Sequence, residues 1–210
     1  MYYKEIKDLP MLPKELTEEL VQSVLTLFEQ VKENVIYYRN FEREDASSLN
    51  YIDEKDIQIY EKSGGVTALP MPRELEDRVK KFYKQTNHTI TNLFDYYGFL
   101  IVEGGPYCVP HIDDVVRRKN GFQYLLKSGG KEVKTVWYEP KDTFKNQKLK
   151  DYCAVPYNKL DIVDEKYLEE NKWYWMKFDT IHSVENQESI RFFLAGGQEG
   201  TGDYSEYVKE

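Results

Sequence analysis

The residue pattern of this 210-residue chain changes from helical to strand-like near position 96. Before that point, segments 13–35 and 72–94 repeat apolar residues at helical spacing, with charged residues between them. Pro13 and Pro72 suit the first turn of each helix. After that point come short runs rich in aromatic and β-branched residues, separated by glycines or charged turns. The chain is therefore expected to place helices beside a β-rich core.

The strand-like runs allow a more specific prediction of architecture. They are 96–105, 107–116, 122–127, 132–139, 172–179, 180–186 and 189–197. Many short strands at regular spacing are typical of a sandwich or barrel. Because the helices come first, we expect an α+β fold in which the N-terminal helices pack on one outer face of the β core. The length suits one domain over 1–210, with a mainly helical support layer in 1–95 and the β core in 96–198.

Short glycine-containing or polar connections predict which strands are neighbours. Ser128, Gly129 and Gly130 favour a hairpin between runs 122–127 and 132–139. In the same way, the connection "ENQES" predicts that the last two runs are paired side by side. The charged stretch 141–171 is expected to be a loop.

Composition excludes several classes of function. The formal net charge of −8 argues against a general nucleic-acid binder, since phosphate contacts need clustered Lys and Arg. No basic-then-apolar leader opens the chain, and no apolar run approaches membrane length, so a cytoplasmic protein with no membrane association is expected. Cys108 and Cys153 fit no metal-binding spacing and are interpreted as small hydrophobic residues outside any disulfide.

His111 and Asp113 lie in an apolar run, "CVPHIDDVV", where a charged pair would be expensive without compensation. Residues two apart on a strand point to the same face, so these two side chains can converge on a metal ion, and Asp114 points away. His182, in a later strand, can supply a third ligand. Two histidines and one carboxylate with open coordination positions form the facial triad of non-haem Fe(II) oxygenases. His88, in the second helical segment, is interpreted as structural.

Arg191 follows His182 by nine residues and is surrounded by Ile190, Phe192 and Phe193. Its guanidinium is therefore unlikely to point into water, and it can grip a planar carboxylate through two hydrogen bonds. The guanidinium is therefore expected to bind an anionic ligand that lies beside the metal. The structural alternatives are a surface strand with an incidental ion pair for His111 and Asp113, a backbone-satisfied core histidine for His182, and a salt bridge from Arg191 to Glu103 or Glu185.

With these residues in order, the chain resembles the 2-oxoglutarate- and Fe(II)-dependent dioxygenases. The segment "VPHIDDVVRRKNGFQYLL…KTVWYEP…FDTIHSVENQESIRFFL" is similar to their prolyl-hydroxylase-like and aspartyl/asparaginyl-hydroxylase-like branches, and the resemblance covers about residues 96–198. It implies a double-stranded β-helix, a form of jelly roll. It also implies that His111, Asp113 and His182 bind Fe(II), and that Arg191 holds the distal carboxylate of 2-oxoglutarate, which acts as co-substrate.

The resemblance further implies a hydroxylase that uses molecular oxygen and acts on a peptide or a small-molecule substrate. No catalytic residue beyond the metal ligands is predicted, and Tyr124, Trp137 and Tyr138 are candidates to line the co-substrate pocket. Collagen-type prolyl hydroxylases carry a lysine where this chain has Arg191, and some aspartyl-hydroxylase relatives lack the carboxylate that Asp113 provides. A non-catalytic jelly-roll binding module and a cupin-like metal protein remain as alternatives.

Overall fold

The computed structural model describes residues 1–31, 36–37, 65–85, 98–104, 108–112, 120–142 and 155–196. The helices in these ranges are α1 (Lys14–Val31) and α2 (Arg73–Gln85). The strands, numbered in chain order, are β1 (Tyr3–Glu5), β2 (Ile36–Tyr37), β3 (Gly65–Pro70), β4 (Gly98–Gly104), β5 (Cys108–His111), β6 (Asn120–Lys127), β7 (Lys134–Pro140), β8 (Leu160–Lys166), β9 (Trp173–Lys177), β10 (Ile181–Glu185) and β11 (Arg191–Gly196). Neither described helix is both long and apolar enough to cross a membrane.

Both helices begin where their prolines predict. The carbonyl of Pro13 accepts the first helical hydrogen bond, from the backbone N–H of Thr17, at 3.0 Å, and Pro72 does the same for Glu76 at 2.9 Å. Proline is tolerated there because the first turn of a helix needs no intrahelical donor. The second helix was expected to reach position 94, but its described part ends at Gln85, and the remainder of that prediction, including His88, lies outside the described residues.

The strands form two antiparallel sheets. The large sheet has seven strands in the order β1-β9-β6-β11-β4-β3-β2, and the small sheet has four in the order β5-β10-β7-β8. Three strands of the large sheet, β1, β2 and β3, come from the part of the chain before position 95. The protein is therefore α+β, with an N-terminal part that contributes strands as well as helices.

The large sheet has two apolar faces because its central strands carry hydrophobic residues at successive positions. One face packs against both helices, in a cluster that includes Leu20 and Val24 of α1, Val79 of α2, Tyr124 of β6 and Leu194 of β11. A bidentate ion pair from Arg78 to Glu19 also joins the two helices. The helices thus cover the side of the large sheet that faces away from the small sheet.

The opposite face of the large sheet packs against the small sheet. This inter-sheet layer contains Trp137 of the small sheet together with residues of the large sheet, which are Leu125, Tyr174, Met176, Phe193 and Ala195. Alternation along each strand separates the two faces, since neighbouring residues point in opposite directions. The side chains that enter this layer are the ones that can form an enclosed site.

Both predicted hairpins are wrong. Strand β6 lies in the large sheet and β7 in the small sheet, and β10 and β11 are divided in the same way. Each short connection therefore crosses between sheets. The two crossings support each other, because the carbonyl of Gly129 accepts hydrogen bonds from the backbone N–H groups of Glu188 and Ser189 at 2.9 and 2.8 Å. A turn motif alone cannot distinguish a hairpin from such a crossing, since both use residues that tolerate positive φ, here Gly129 and Asn186.

The predicted loop 141–171 is also wrong in part, because β8 lies within it and pairs with β7. This strand is at the edge of the small sheet, and most of its side chains are exposed. Charged residues are common on edge strands, where they discourage pairing with other chains. The lack of an apolar alternation explains why this strand looked like a loop.

Candidate metal centre

His111 and His182 lie directly opposite each other on the paired strands β5 and β10 of the small sheet. Their ring centres are 4.6 Å apart, and the residues are 2% and 7% exposed. The surface-strand alternative for His111 is therefore wrong. Antiparallel pairing at the same register position brings the two side chains onto one face of the sheet. Residues 71 positions apart in the chain thus become neighbours in a dry environment.

The backbone determines which nitrogen of each ring carries the proton. Nδ1 of His111 lies 2.8 Å from the carbonyl oxygen of Val109, and Nδ1 of His182 lies 2.8 Å from that of Thr180. A carbonyl oxygen can only accept, so Nδ1 is the donor in both rings. In the neutral imidazole the lone pair is then on Nε2, and this is the arrangement by which proteins orient histidine ligands toward a metal.

The spacing of the rings fits a shared metal ion. Two imidazoles bound at right angles to one ion, with metal–nitrogen bonds of about 2.1 Å, have ring centres roughly 4.5 Å apart. The observed 4.6 Å agrees with that value. Within the described residues, no three His, Cys, Asp or Glu side chains form a metal-binding group. Asp113, the predicted third ligand, lies just outside the described residues, one position after Ile112.

The histidine pair faces the inter-sheet layer. His182 is paired at Cα with Trp137 of β7, which packs in that layer, and directly opposed residues share a face. On the other side, the ring of Phe178 lies 6.3 Å from that of His182. The two imidazoles therefore lie on the face that carries Trp137, close to the ring of Phe178, and both residues are buried.

Arg191, in β11 of the large sheet, enters the same layer. It is 2% exposed, and its Nη2 donates to Oγ1 of Thr135 across 3.2 Å. Thr135 lies on β7 two residues before Trp137, so both side chains point inward. Along the strand, Thr135 and Trp137 are therefore about 7 Å apart. Of the predicted salt-bridge partners, Glu185 instead accepts from the hydroxyls of Tyr138 and Ser183.

Tyr124 and Tyr138 are not brought to the histidine pair. Tyr124 lies on the helix-facing side of the large sheet, where its hydroxyl accepts from the backbone N–H of Leu12 at 3.2 Å. Tyr138 lies on the outer face of the small sheet, where its hydroxyl is 2.9 Å from Oγ of Ser183. Burial is the main reason that the pKa of each phenol is raised above its ordinary value. Of the three aromatic candidates, only Trp137 faces the inter-sheet layer.

Thr135 and Phe178 were not predicted as site residues. Only Thr135 had a signal in the sequence, because it shares a strand and a face with Trp137, whereas Phe178 lies between β9 and β10. Phe178 precedes His182 by four positions, and Thr135 precedes Trp137 by two. Identifying them required knowing which strand faces which, and that depends on the sheet crossings.

A groove of about 280 Å³ borders the two histidine-bearing segments. Ile112, which follows His111, and Thr180, whose carbonyl holds His182, both line it. Charged side chains contribute as well, with Glu139, Lys177 and Asp179 on its walls. The groove therefore has a mixed polar and apolar surface. Tyr138 and Ile181 of the outer face of the small sheet also line it, and neither histidine does.

Comparison with solved structures finds prolyl hydroxylases. A Trichoplax adhaerens prolyl hydroxylase, in complex with a hypoxia inducible factor oxygen degradation domain peptide fragment, aligns over 95% of this chain and 84% of its own, with 11% identity and a TM-score of 0.48. A Pseudomonas putida prolyl-4-hydroxylase aligns over 94% and 92%, with 13% identity and a TM-score of 0.45. Neither a family model nor a curated protein sequence matches the chain.

Proposed function

We propose that this chain is an Fe(II)- and 2-oxoglutarate-dependent oxygenase, built on a double-stranded β-helix, that hydroxylates a peptidyl side chain or a small metabolite. The observation that carries the proposal is the buried pair of His111 and His182. Their ring centres are 4.6 Å apart, and each Nδ1 is held by a backbone carbonyl. This is a prepared arrangement for binding one metal ion through two Nε2 atoms.

His111, His182 and Asp113 would hold the ferrous ion. Asp113 lies outside the described residues and is assigned from the sequence alone, by its position two residues after His111. Two histidines and one carboxylate leave coordination positions for an oxoacid and for oxygen. When bound, the ferrous ion supplies the activation of molecular oxygen. Overall, a substrate C–H, one O₂ and one 2-oxoglutarate become the C–OH product, succinate and CO₂, with one oxygen atom entering each of the two organic products.

The chain's own residues position the reactants and exclude water. The carbonyls of Val109 and Thr180 keep both imidazoles in the tautomer that can bind metal. Arg191 would bind the distal carboxylate of 2-oxoglutarate, and Thr135 holds its guanidinium on the inner face of the small sheet. The spacing of about 7 Å between positions 135 and 137 along β7 is the scale of a five-carbon dicarboxylate. Buried aromatic residues around the pair keep the site dry.

The groove lined by Ile112 and Thr180, which are close in sequence to the two histidines, is the proposed approach for substrate. Its volume of about 280 Å³ is at the lower end of the range for small-ligand pockets, which suits one side chain or a small metabolite. Glu139 and Asp179 on its walls disfavour a polyanionic substrate, as does the net charge of −8.

The test is a spectroscopic titration without oxygen. Fe(II) followed by 2-oxoglutarate should produce the weak visible charge-transfer band of the chelate in the wild-type protein. The His182→Ala variant should lose the band because one of two described imidazole ligands is gone. His88→Ala provides the matched control, since it removes the one histidine that the proposal does not use, and it should keep the band. A wild-type protein without the band would refute the proposal.

Turnover separates an enzyme from a binding module of the same fold. Incubation with Fe(II), ascorbate, 2-oxoglutarate and oxygen should release succinate, and Arg191→Gln should reduce that release. A protein that binds 2-oxoglutarate but forms no succinate under any substrate tested would instead be a non-catalytic jelly-roll module.

A further inference from the structure

Trp137 has a buried hydrogen-bond donor whose role the fold does not explain. The residue is 0% exposed, and its indole Nε1 has no hydrogen-bond partner among the residues that the structure describes. The other two tryptophans are also buried, yet Trp173 donates to the hydroxyl of Tyr83 at 2.7 Å and Trp175 donates to Oδ1 of Asn120 at 3.2 Å. Buried donors are normally paired, so an exception next to a candidate site points to a ligand.

The position of Trp137 identifies the site concerned. Its Cα is paired with that of His182, which is paired in turn with His111, so the three residues form one row across β7, β10 and β5. Directly opposed side chains on one face have Cβ atoms about 5 Å apart. Trp137 is therefore the neighbour of His182 in that row, on the face that packs in the inter-sheet layer.

The aromatic neighbours of Trp137 do not satisfy its N–H. The ring of Tyr3 stacks on the indole with centres 5.0 Å apart and an interplanar angle of 15°, and that of Tyr2 is 6.3 Å away at 25°. The N–H bond lies in the plane of the indole. Because both tyrosine rings are nearly parallel to that plane, the N–H points sideways and not toward either ring. A hydrogen bond to either tyrosine π-face is therefore excluded by geometry.

The chemistry of the group restricts what it can bind. Indole nitrogen is a donor only, so its partner must present an acceptor atom and cannot be a metal ion. The imidazoles of His111 and His182 in the same row are metal ligands in the proposed function. An oxyanion bound to the metal ion would meet both conditions, because it would accept from the indole N–H and lie next to the imidazoles. Arg191 is held two strand positions away at Thr135, so it is placed for the other end of such a ligand.

We propose that the indole N–H of Trp137 donates a hydrogen bond to the metal-proximal carboxylate of bound 2-oxoglutarate. This inference rests on the proposed function and adds a co-substrate-binding residue to it. Trp137 binds the end of the diacid near the histidines, and Arg191 binds the distal end.

The decisive experiment observes the indole directly. The chain has three tryptophans, so protein labelled with ¹⁵N at the indole nitrogen gives three N–H resonances. Trp173→Phe and Trp175→Phe assign two of them, and the third belongs to Trp137. In the Zn(II)-loaded wild type, 2-oxoglutarate should move the Trp137 proton resonance downfield and leave the other two in place. Pyruvate, which shares only the oxoacid end, should produce the same shift.

An affinity measurement gives an independent readout. By calorimetry on Mn(II)-loaded protein, Trp137→Phe should weaken 2-oxoglutarate binding by about tenfold, the usual effect of losing one hydrogen bond to a charged group. Trp175→Phe removes an indole on the other side of the large sheet and should bind as tightly as wild type. If Trp137→Phe does not fold, the resonance of the wild-type protein still decides the question.

The outcomes separate the two proposals. A wild-type protein that binds 2-oxoglutarate while the Trp137 resonance stays in place would overturn this inference and leave the oxygenase proposal standing. A wild-type protein that binds neither metal nor 2-oxoglutarate would overturn both.

Discussion

Arg191 of the large sheet donates from Nη2 to Oγ1 of Thr135 in the small sheet across 3.2 Å, and both residues are buried. This bond joins the two sheets on the face that carries His111 and His182. A buried guanidinium is expensive unless it is paired. Its guanidinium can form two hydrogen bonds to a carboxylate, which is why an anionic ligand in the inter-sheet layer is a physically reasonable partner.

Replacing Arg191 tests that partnership. Arg191→Gln should weaken 2-oxoglutarate binding by about 10- to 100-fold, since a charge-assisted bond to a carboxylate contributes about 1.5–3 kcal/mol. Pyruvate lacks the distal carboxylate, so its binding should be nearly unchanged. Calorimetry on Mn(II)-loaded protein measures both. An equal loss for both ligands would indicate general damage to the site.

Gly129 should tolerate no side chain. Its φ is +88°, and a Cβ there would lie 3.0 Å from the carbonyl oxygen of Ser189 and 3.1 Å from Cβ of Arg191. Gly129→Ala should therefore lower the free energy of unfolding by about 1–2 kcal/mol or more, and weaken 2-oxoglutarate binding by displacing Arg191. Chemical denaturation measures the first effect and calorimetry the second. Lys131→Ala, at an exposed position two residues later in the same turn, serves as the control.

The buried phenol of Tyr138 predicts alkaline sensitivity. Burial, and then the hydrogen bond to Glu185, raise its pKa above the ordinary value of 10.0. In the unfolded chain the phenol ionises near its ordinary value, so stability is fully present below about pH 10 and falls as the pH rises above it. This one group contributes a slope of about 1.4 kcal/mol per pH unit.

The measurement is unfolding by denaturant between pH 9 and 11. Tyr138→Phe should be less stable at neutral pH, because it loses its bonds to Ser183 and Glu185, but its stability should fall less steeply above pH 10. Tyr167→Phe is the control, since that ring is 49% exposed. A wild-type slope in the Tyr138→Phe variant would contradict this assignment.

Helix α1 should be needed for stability of the large sheet. Leu20 is 0% exposed and packs in the cluster between the helices and the sheet, so Leu20→Ala should cost about 2–5 kcal/mol. Leu25 of the same helix is 37% exposed, and Leu25→Ala should cost much less. Thermal or denaturant unfolding compares the two. Similar losses would mean that the helix face is misassigned.

Local pattern predicted much of the secondary structure. Periods of about 3.6 and 2 residues identified both helices and seven strand segments, because these periods reflect which side chains a helix or strand can bury. Strand β8 was missed because it lies at an edge, where exposure removes the apolar alternation. Strands β1, β2 and β3 were missed as well, the first two being only three and two residues long.

Partner strands were not predictable from short connections. The turns after β6 and β10 both looked like hairpins, yet each crosses to the other sheet. The difference depends on the hydrogen bonds that the backbone N–H groups of Glu188 and Ser189, which are distant in sequence, donate to the carbonyl of Gly129. Long-range strand pairing also places Tyr124 and Tyr138 on outer faces and Trp137 in the row of the histidines. The sheet that a strand joins decides which of its two sides faces the inter-sheet layer.

The sequence by itself determined the residue types of the candidate centre and the alternation of side chains along each strand, since both are properties of the local chain. Only the tertiary structure decided that His111 and His182 are opposed, that Arg191 reaches Thr135, and that Trp137 is the aromatic residue facing them. The physical reason is that a metal-binding geometry depends on distances between strands, and those distances are produced by sheet pairing and packing across the whole molecule.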